Sequence, residues 1–131
     1  TLRKIRLPGS VHSIGDEAFA YCLSLTDINL PGRIRKLSRG MFEGCTELKT
    51  LSIPENIVTI EECAFNCCYK LSGITIPRGV KSVGENAFRR CFKLKNVRFD
   101  GTREEWNEVS VAPGNECLIR TVKCNDEEGK K

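Results

Sequence analysis

Residues 15–22 read GDEAFAYC, and variants return as SRGMFEGC at 38–45, EECAFNCC at 61–68 and GENAFRRC at 84–91. The step is 23 residues, and it governs far more than this phrase. Leucines stand at 2, 25, 48, 71 and 94, and prolines at 8, 31, 54 and 77. Phe19, Phe42, Phe65 and Phe88 keep the same step, as do Cys22, Cys45, Cys68 and Cys91. One unit reads L-x-x-I-x-L-P-x-x-V-x-x-I-x-x-x-A-F-x-x-C-x-x, without insertion or deletion across four units. Its apolar slots change only in kind (Ile5, Ile28, Leu51, Ile74, Val97), whereas the residues between them vary freely (Arg6, Asn29, Ser52, Thr75, Arg98). A fixed period of this length marks a repeat architecture.

Within a unit, KIRLP alternates as a half-buried strand does. The proline after it cannot donate to a ladder, so it ends the strand and begins a turn. A second alternating fragment, VHSIG or VKSVG, predicts another short extended segment on the opposite side. EAFAYC is too short for a stable helix and predicts one helical or 3₁₀-like turn. So small a unit cannot bury its apolar side alone, but stacked coils cover one another and form a continuous core. The prediction is a solenoid with five coils over residues 1–99, starting at 2, 25, 48, 71 and 94.

The unit L-x-x-I-x-L-P-x-x-V-x-x-I-G-x-x-A-F-x-x-C resembles the BspA-like (Treponema-type) leucine-rich repeat, continuously over residues 2–99. It lacks the asparagine of the commoner leucine-rich repeat, and the cysteine recurs instead. The resemblance implies a right-handed solenoid with a parallel β-sheet on one face. Short strands and 3₁₀ or helical turns would form the other face, with little α-helix. It also implies a bacterial cell-surface location and a binding or adhesion role.

At residue 100 the phase is lost. Thr102 followed by Glu105 is a capping-box pattern, predicting a short helix over 103–109 with Trp106 and Val109 turned inward. LIRTVKC, residues 118–124, reads as a closing strand after the Pro113-Gly114 turn. Residues 100–124 thus form a C-terminal cap, and 125–131 a tail. No comparable cap stands at the start, where Leu2 enters the first slot directly, so further repeats or a cap are expected before Thr1.

Eight cysteines in 131 residues raise disulfide and zinc readings. In the ladder, parallel Cβ vectors keep neighbouring Cβ atoms about 4.8 Å apart, beyond the ~3.5–4.5 Å a bridge prefers. A small, weakly donating thiol suits a buried slot beneath a turn. Phe19, Phe42, Phe65, Phe88, Cys22, Cys45, Cys68 and Cys91 are therefore structural. Cys63 and Cys67 fill slots held elsewhere by Glu17, Gly40 and Asn86, or by Tyr21, Gly44 and Arg90. With Cys68 they lack a fourth ligand and the paired C-x-x-C knuckles of a zinc site. Cys117 and Cys124 are either a bridge within the cap or two core-facing thiols. His12 occupies a variable slot shared with Arg35, Val58 and Lys81, and belongs to solvent rather than to a nucleophile pair. Asp16-Glu17 and Glu61-Glu62 read as solvated turn edges, and LPGS and LPGR as repeat turns. No catalytic residue, metal or cofactor is predicted.

A net charge of +4, with Lys and Arg spread along the chain, lacks the concentrated basic stripe of a nucleic-acid binder. Apolar runs are only a few residues long, so no membrane insertion is expected. The partner predicted is a protein: a host matrix component or another cell-surface protein. It would meet the outward residues of each strand, Lys4, Arg6, Asp27, Asn29, Thr50, Ser52, Gly73, Thr75, Asn96 and Arg98. Five strands span only about 20 Å, and a face that narrow falls short of the ~800 Å² per partner of a stable complex. The segment therefore reads as a monomeric piece of a longer array that gains strength from many copies. A spacer solenoid without a ligand is the alternative, and a thiol-dependent enzyme the remote one. Reduced cysteines fit a cytosol, but the resemblance implies export by an anaerobe, and the surface is the expectation.

Overall fold

A computed structural model describes residues 3–127. Ten short strands and two helices follow one another: β1 Lys4–Arg6, β2 Asp27–Asn29, β3 Lys36–Leu37, β4 Thr50–Leu51, β5 Thr59–Ile60, β6 Gly73–Ile76, β7 Ser82–Val83, β8 Asn96–Phe99, α1 Arg103–Trp106, β9 Ser110–Val111, α2 Glu116–Thr121 and β10 Lys123–Cys124. A 3₁₀ turn, Asn125–Glu127, comes last. All strand pairs are parallel, each pairing one coil with the next: Ile5 opposite Ile28, Ile60 opposite Val83, Ile74 opposite Val97. The chain is a β-solenoid, as the period requires. The first face carries β1-β2 and then β4-β6-β8-β10; the second carries β3-β5-β7-β9. VKSVG and its equivalents in the second and third coils thus supply the second row of strands, whereas VHSIG of the first coil forms no strand.

Like stacks on like inside. Phe19, Phe42, Phe65 and Phe88 form a column with ring centroids 5.7, 5.5 and 5.1 Å apart and near-parallel planes. The last three rings are fully buried, each contributing about 2–3 kcal/mol of transfer free energy. Ile5, Leu7, Ile14 and Phe19 of the first coil are only half-buried, because no described coil lies over them. Leu2, assigned by the period to that coil's first slot, lies outside the described residues.

The AF-x-x-C corner is a run of tight turns in which i→i+3 closures alternate with bonds to the next coil. Ala20 and Cys22 N–H donate to Glu17 and Phe19, while Phe19 and Tyr21 N–H donate to Met41 and Glu43. Two residues per coil adopt the left-handed conformation: Glu17 and Tyr21, Gly40 and Gly44, Cys63 and Cys67, Asn86 and Arg90. They aim alternate N–H groups at the next coil and stop the 3₁₀-like closure from propagating.

The closing segment departs from expectation in its second half. Residues 118–124 were expected as a strand, but α2 occupies 116–121 and only Lys123–Cys124 pair as strand. Cys117 and Leu118 both turn inward, Cys117 to hydrogen-bond the last corner and Leu118 into the core. Consecutive strand residues face opposite ways, so a strand cannot do this. The first helix has the full capping box, Thr102 with Glu105, but ends at Trp106. Beyond it, Glu108 and Val109 N–H close i→i+3 turns onto Glu105 and Trp106, leading into β9. Trp106 is buried 5.2 Å from the Phe99 ring, and Val109 packs half-buried beside it. Because β9 pairs with β7 and β10 with β8, the closing segment adds a rung to both rows. The tail expected from residue 125 starts as part of this unit: Asp126 accepts from the Arg103 N–H, and Glu127 takes the Arg103 guanidinium at 2.7 and 2.9 Å. Residues 128–131 lie outside the described residues.

Candidate functional site

Strand alternation builds the first face. At β1 and β2 the middle residue turns inward and its neighbours outward, which exposes Lys4, Arg6, Asp27 and Asn29. Thr50 and Thr75 are exposed on β4 and β6, Asn96 on β8, and Ser52 just past β4. Gly73 and Arg98 are half-buried. Register sets Lys4 beside Asp27, Arg6 beside Asn29, Thr50 beside Gly73, Gly73 beside Asn96 and Thr75 beside Arg98. Four are already engaged, Arg98 among them, its guanidinium donating to Asn125 Oδ1 at 3.1 Å. Arg6 meets the Asp27 carboxylate at 2.8 Å, and this contact holds the carboxyl below its usual range. The Asn29 side chain accepts from Leu7 N–H at 2.9 Å and donates to Leu7 C=O at 3.1 Å, prolonging the β1 ladder by one rung. A residue outside the period joins the face: Lys123 on β10 stands exposed beside Arg98. The loss of phase after residue 99 hides it in the sequence.

The ladder thiols share one geometry. Sγ of Cys45, Cys68 and Cys91 donates to the carbonyl of Phe19, Phe42 and Phe65 in the preceding coil, at 3.1, 3.1 and 3.2 Å. Burial pushes the Cys45 and Cys91 thiols up to about 12, and Cys68 further. Such thiols are protonated and inert. Cys117 belongs with them: its Sγ donates to the Phe88 carbonyl at 3.0 Å, and burial raises its pKa. It is the next rung, placed 26 residues after Cys91 instead of 23, which hides it from the period. All eight cysteines are free, so Cys117 and Cys124 are two separate thiols. Cys63 and Cys67 are half-buried at left-handed positions with φ of 60° and 65°. Among the described residues, no group of three or more His, Cys, Asp or Glu side chains is placed to hold a metal ion. His12 is exposed. No described helix is long and apolar enough to cross a membrane.

A stack of short parallel strands with one variable face and a repeated core defines a leucine-rich repeat solenoid. The profile of the BspA type leucine rich repeat region matches residues 1–110 in six copies, and the chain belongs to that family. Among solved structures, it is similar to a leucine rich cell surface protein from Faecalibacterium prausnitzii A2-165, at 41% identity and a TM-score of 0.81, over 83% of this chain and 29% of that one. A leucine-rich repeat protein from Bacteroides ovatus matches at 26% identity and 0.71, over 85% of this chain and 33% of that one. The T. pallidum leucine rich repeat protein matches at 28% identity and 0.72, over 84% of this chain and 51% of that one. The chain therefore spans about a third to a half of the length of these proteins. No curated protein matches significantly.

Proposed function

We propose that this chain is a non-enzymatic protein-binding module of a bacterial cell-surface repeat protein, working in adhesion through its first strand face. The supporting observation is the contrast within each strand. Inward residues are restricted to a few apolar types, whereas the outward Lys4, Arg6, Asp27, Asn29, Thr50, Ser52, Thr75, Asn96 and Arg98 differ from coil to coil. A scaffold held constant beneath a variable surface suits recognition. The description of the F. prausnitzii relative as a cell surface protein supports the location. Inert ladder thiols support the non-enzymatic reading. The partner is a protein of the host matrix or of another cell surface. The test is binding by the parent protein with Lys4→Glu, Arg6→Glu and Arg98→Glu combined. A loss of about tenfold or more supports the face, as paired charge changes at an interface do. Unchanged binding removes the face and leaves a spacer.

A further inference from the structure

Between the last regular corner and α2 runs a groove of about 430 Å³, floored by Phe88, Cys91, Leu94 and Cys117. Its rim carries Arg89, Arg90, Lys95 and Arg120 against one carboxylate, Glu116. Among the described residues, none of these four cations has a carboxylate within 4 Å. Equivalent slots in earlier coils differ in charge: Arg89 and Lys93 stand where the second coil has Glu43 and Glu47. Phe92 sits at the groove with 73% of its surface exposed and stacks in parallel on Tyr69, 5.6 Å away, which is itself 40% exposed. Core packing explains neither ring.

A backbone donor points the same way. At the second left-handed slot of each coil, the N–H reaches a carbonyl of the next: Tyr21 to Glu43 at 2.6 Å, Gly44 to Asn66 at 2.8 Å, Cys67 to Arg89 at 2.9 Å. The Arg90 N–H has no acceptor among the described residues. The rung before it is completed by a side chain, because Phe88 N–H donates to Asn115 Oδ1 at 3.0 Å. After Asn115 the chain winds into α2 and leaves the corner column one acceptor short.

We propose that this groove is a second binding surface, distinct from the strand face, for an acidic extended segment of a protein partner carrying an aromatic side chain. A peptide oxygen accepts from the Arg90 N–H and continues the column. The aromatic ring stacks on Phe92, and flanking carboxylates meet Arg120 and Lys95. The groove's apolar floor favours a peptide over a polyanion that offers charge alone.

The probe is a dye-labelled peptide with one phenylalanine flanked by glutamates, titrated into the 131-residue chain at physiological salt. Anisotropy should show saturable binding, and the Arg90 amide proton should move downfield in ¹H–¹⁵N spectra. Phe92→Ser and Arg120→Glu should each weaken binding about tenfold while melting like the parent, as both side chains are exposed. Lys4→Glu with Arg6→Glu should leave peptide binding unchanged, which separates this surface from the strand face. The proposal is overturned by no saturable binding, or by shifts confined to the strand rows. It is equally overturned by binding as tight for a peptide without phenylalanine or for polyphosphate, or by the groove closing on a second copy in sedimentation.

Discussion

Cys67 and Cys68 are adjacent in the chain and occupy unlike places. Cys68 lies fully buried, its thiol bonded to the Phe42 carbonyl, in a column that includes Cys45, Cys91 and Cys117. Cys67 holds a left-handed backbone at a half-exposed corner, in a column with Tyr21, Gly44 and Arg90. Being cysteine does not by itself separate the two places. The first column is selected for volume and a weak donor, the second for a backbone geometry that glycine adopts most easily. The repeat is therefore rigid where side chains stack and permissive where only the backbone is constrained.

The largest blow to the stacked side comes from Phe65→Ala, which opens a cavity in the middle of the four-ring column. A loss of about 3–5 kcal/mol in denaturant unfolding is expected, and a loss below about 1 kcal/mol would show that the column is not close-packed. Asn115→Ala comes next. It strips an acceptor from Phe88 N–H and donors from the carbonyls of Gly84 and Ala112, at a fully buried position. About 3 kcal/mol should be lost, since buried groups left unpaired cost ~1–3 kcal/mol each.

The thiols themselves can be read by pH. Cys45 and Cys91 are raised from 9.0 to about 12, so the folded state keeps protons that the unfolded chain releases. Their stabilisation is whole below about pH 9 and is lost as pH climbs towards the folded value. Unfolding midpoints followed from pH 8.5 to 11 should fall less steeply in Cys91→Ser than in the parent. Identical slopes would mean that these thiols reach water.

The corner column gives the smallest effects. Cys67→Gly should stabilise by about 0.5–1 kcal/mol, since a left-handed backbone strains any residue with a Cβ. Gly44→Ala should destabilise by about 1 kcal/mol, because φ is 73° and the new methyl meets the Tyr21 ring lying over it. With a thiol reagent under native conditions, the half-buried Cys63 and Cys67 should react before Cys45, Cys68 and Cys91, which should react only after unfolding. Reaction at Cys68 in the native state would break the distinction between the two columns.

Much of this was legible beforehand because a period is a statement about packing. Equal steps of leucine, proline, phenylalanine and cysteine can only be satisfied by coils that set like residues on like, and alternation around Ile28 or Ile74 marks which side faces out. The left-handed slots left a fainter trace: the columns of Glu17, Gly40, Cys63 and Asn86, and of Tyr21, Gly44, Cys67 and Arg90, vary in type because backbone geometry, not side-chain volume, is what they share.

The chain's sequence by itself thus determined the solenoid, its core columns and the strand face. Only the tertiary structure decided what happens once the period stops. It set Cys117 as a ladder rung, Lys123 beside Arg98, α2 in place of a strand and Asn115 as a stand-in for a backbone carbonyl. The physical reason is that inserted residues destroy the phase without destroying the demand it expressed. The last coil still needs its N–H groups, carbonyls and apolar surface met, and three-dimensional proximity alone selects the residues that meet them.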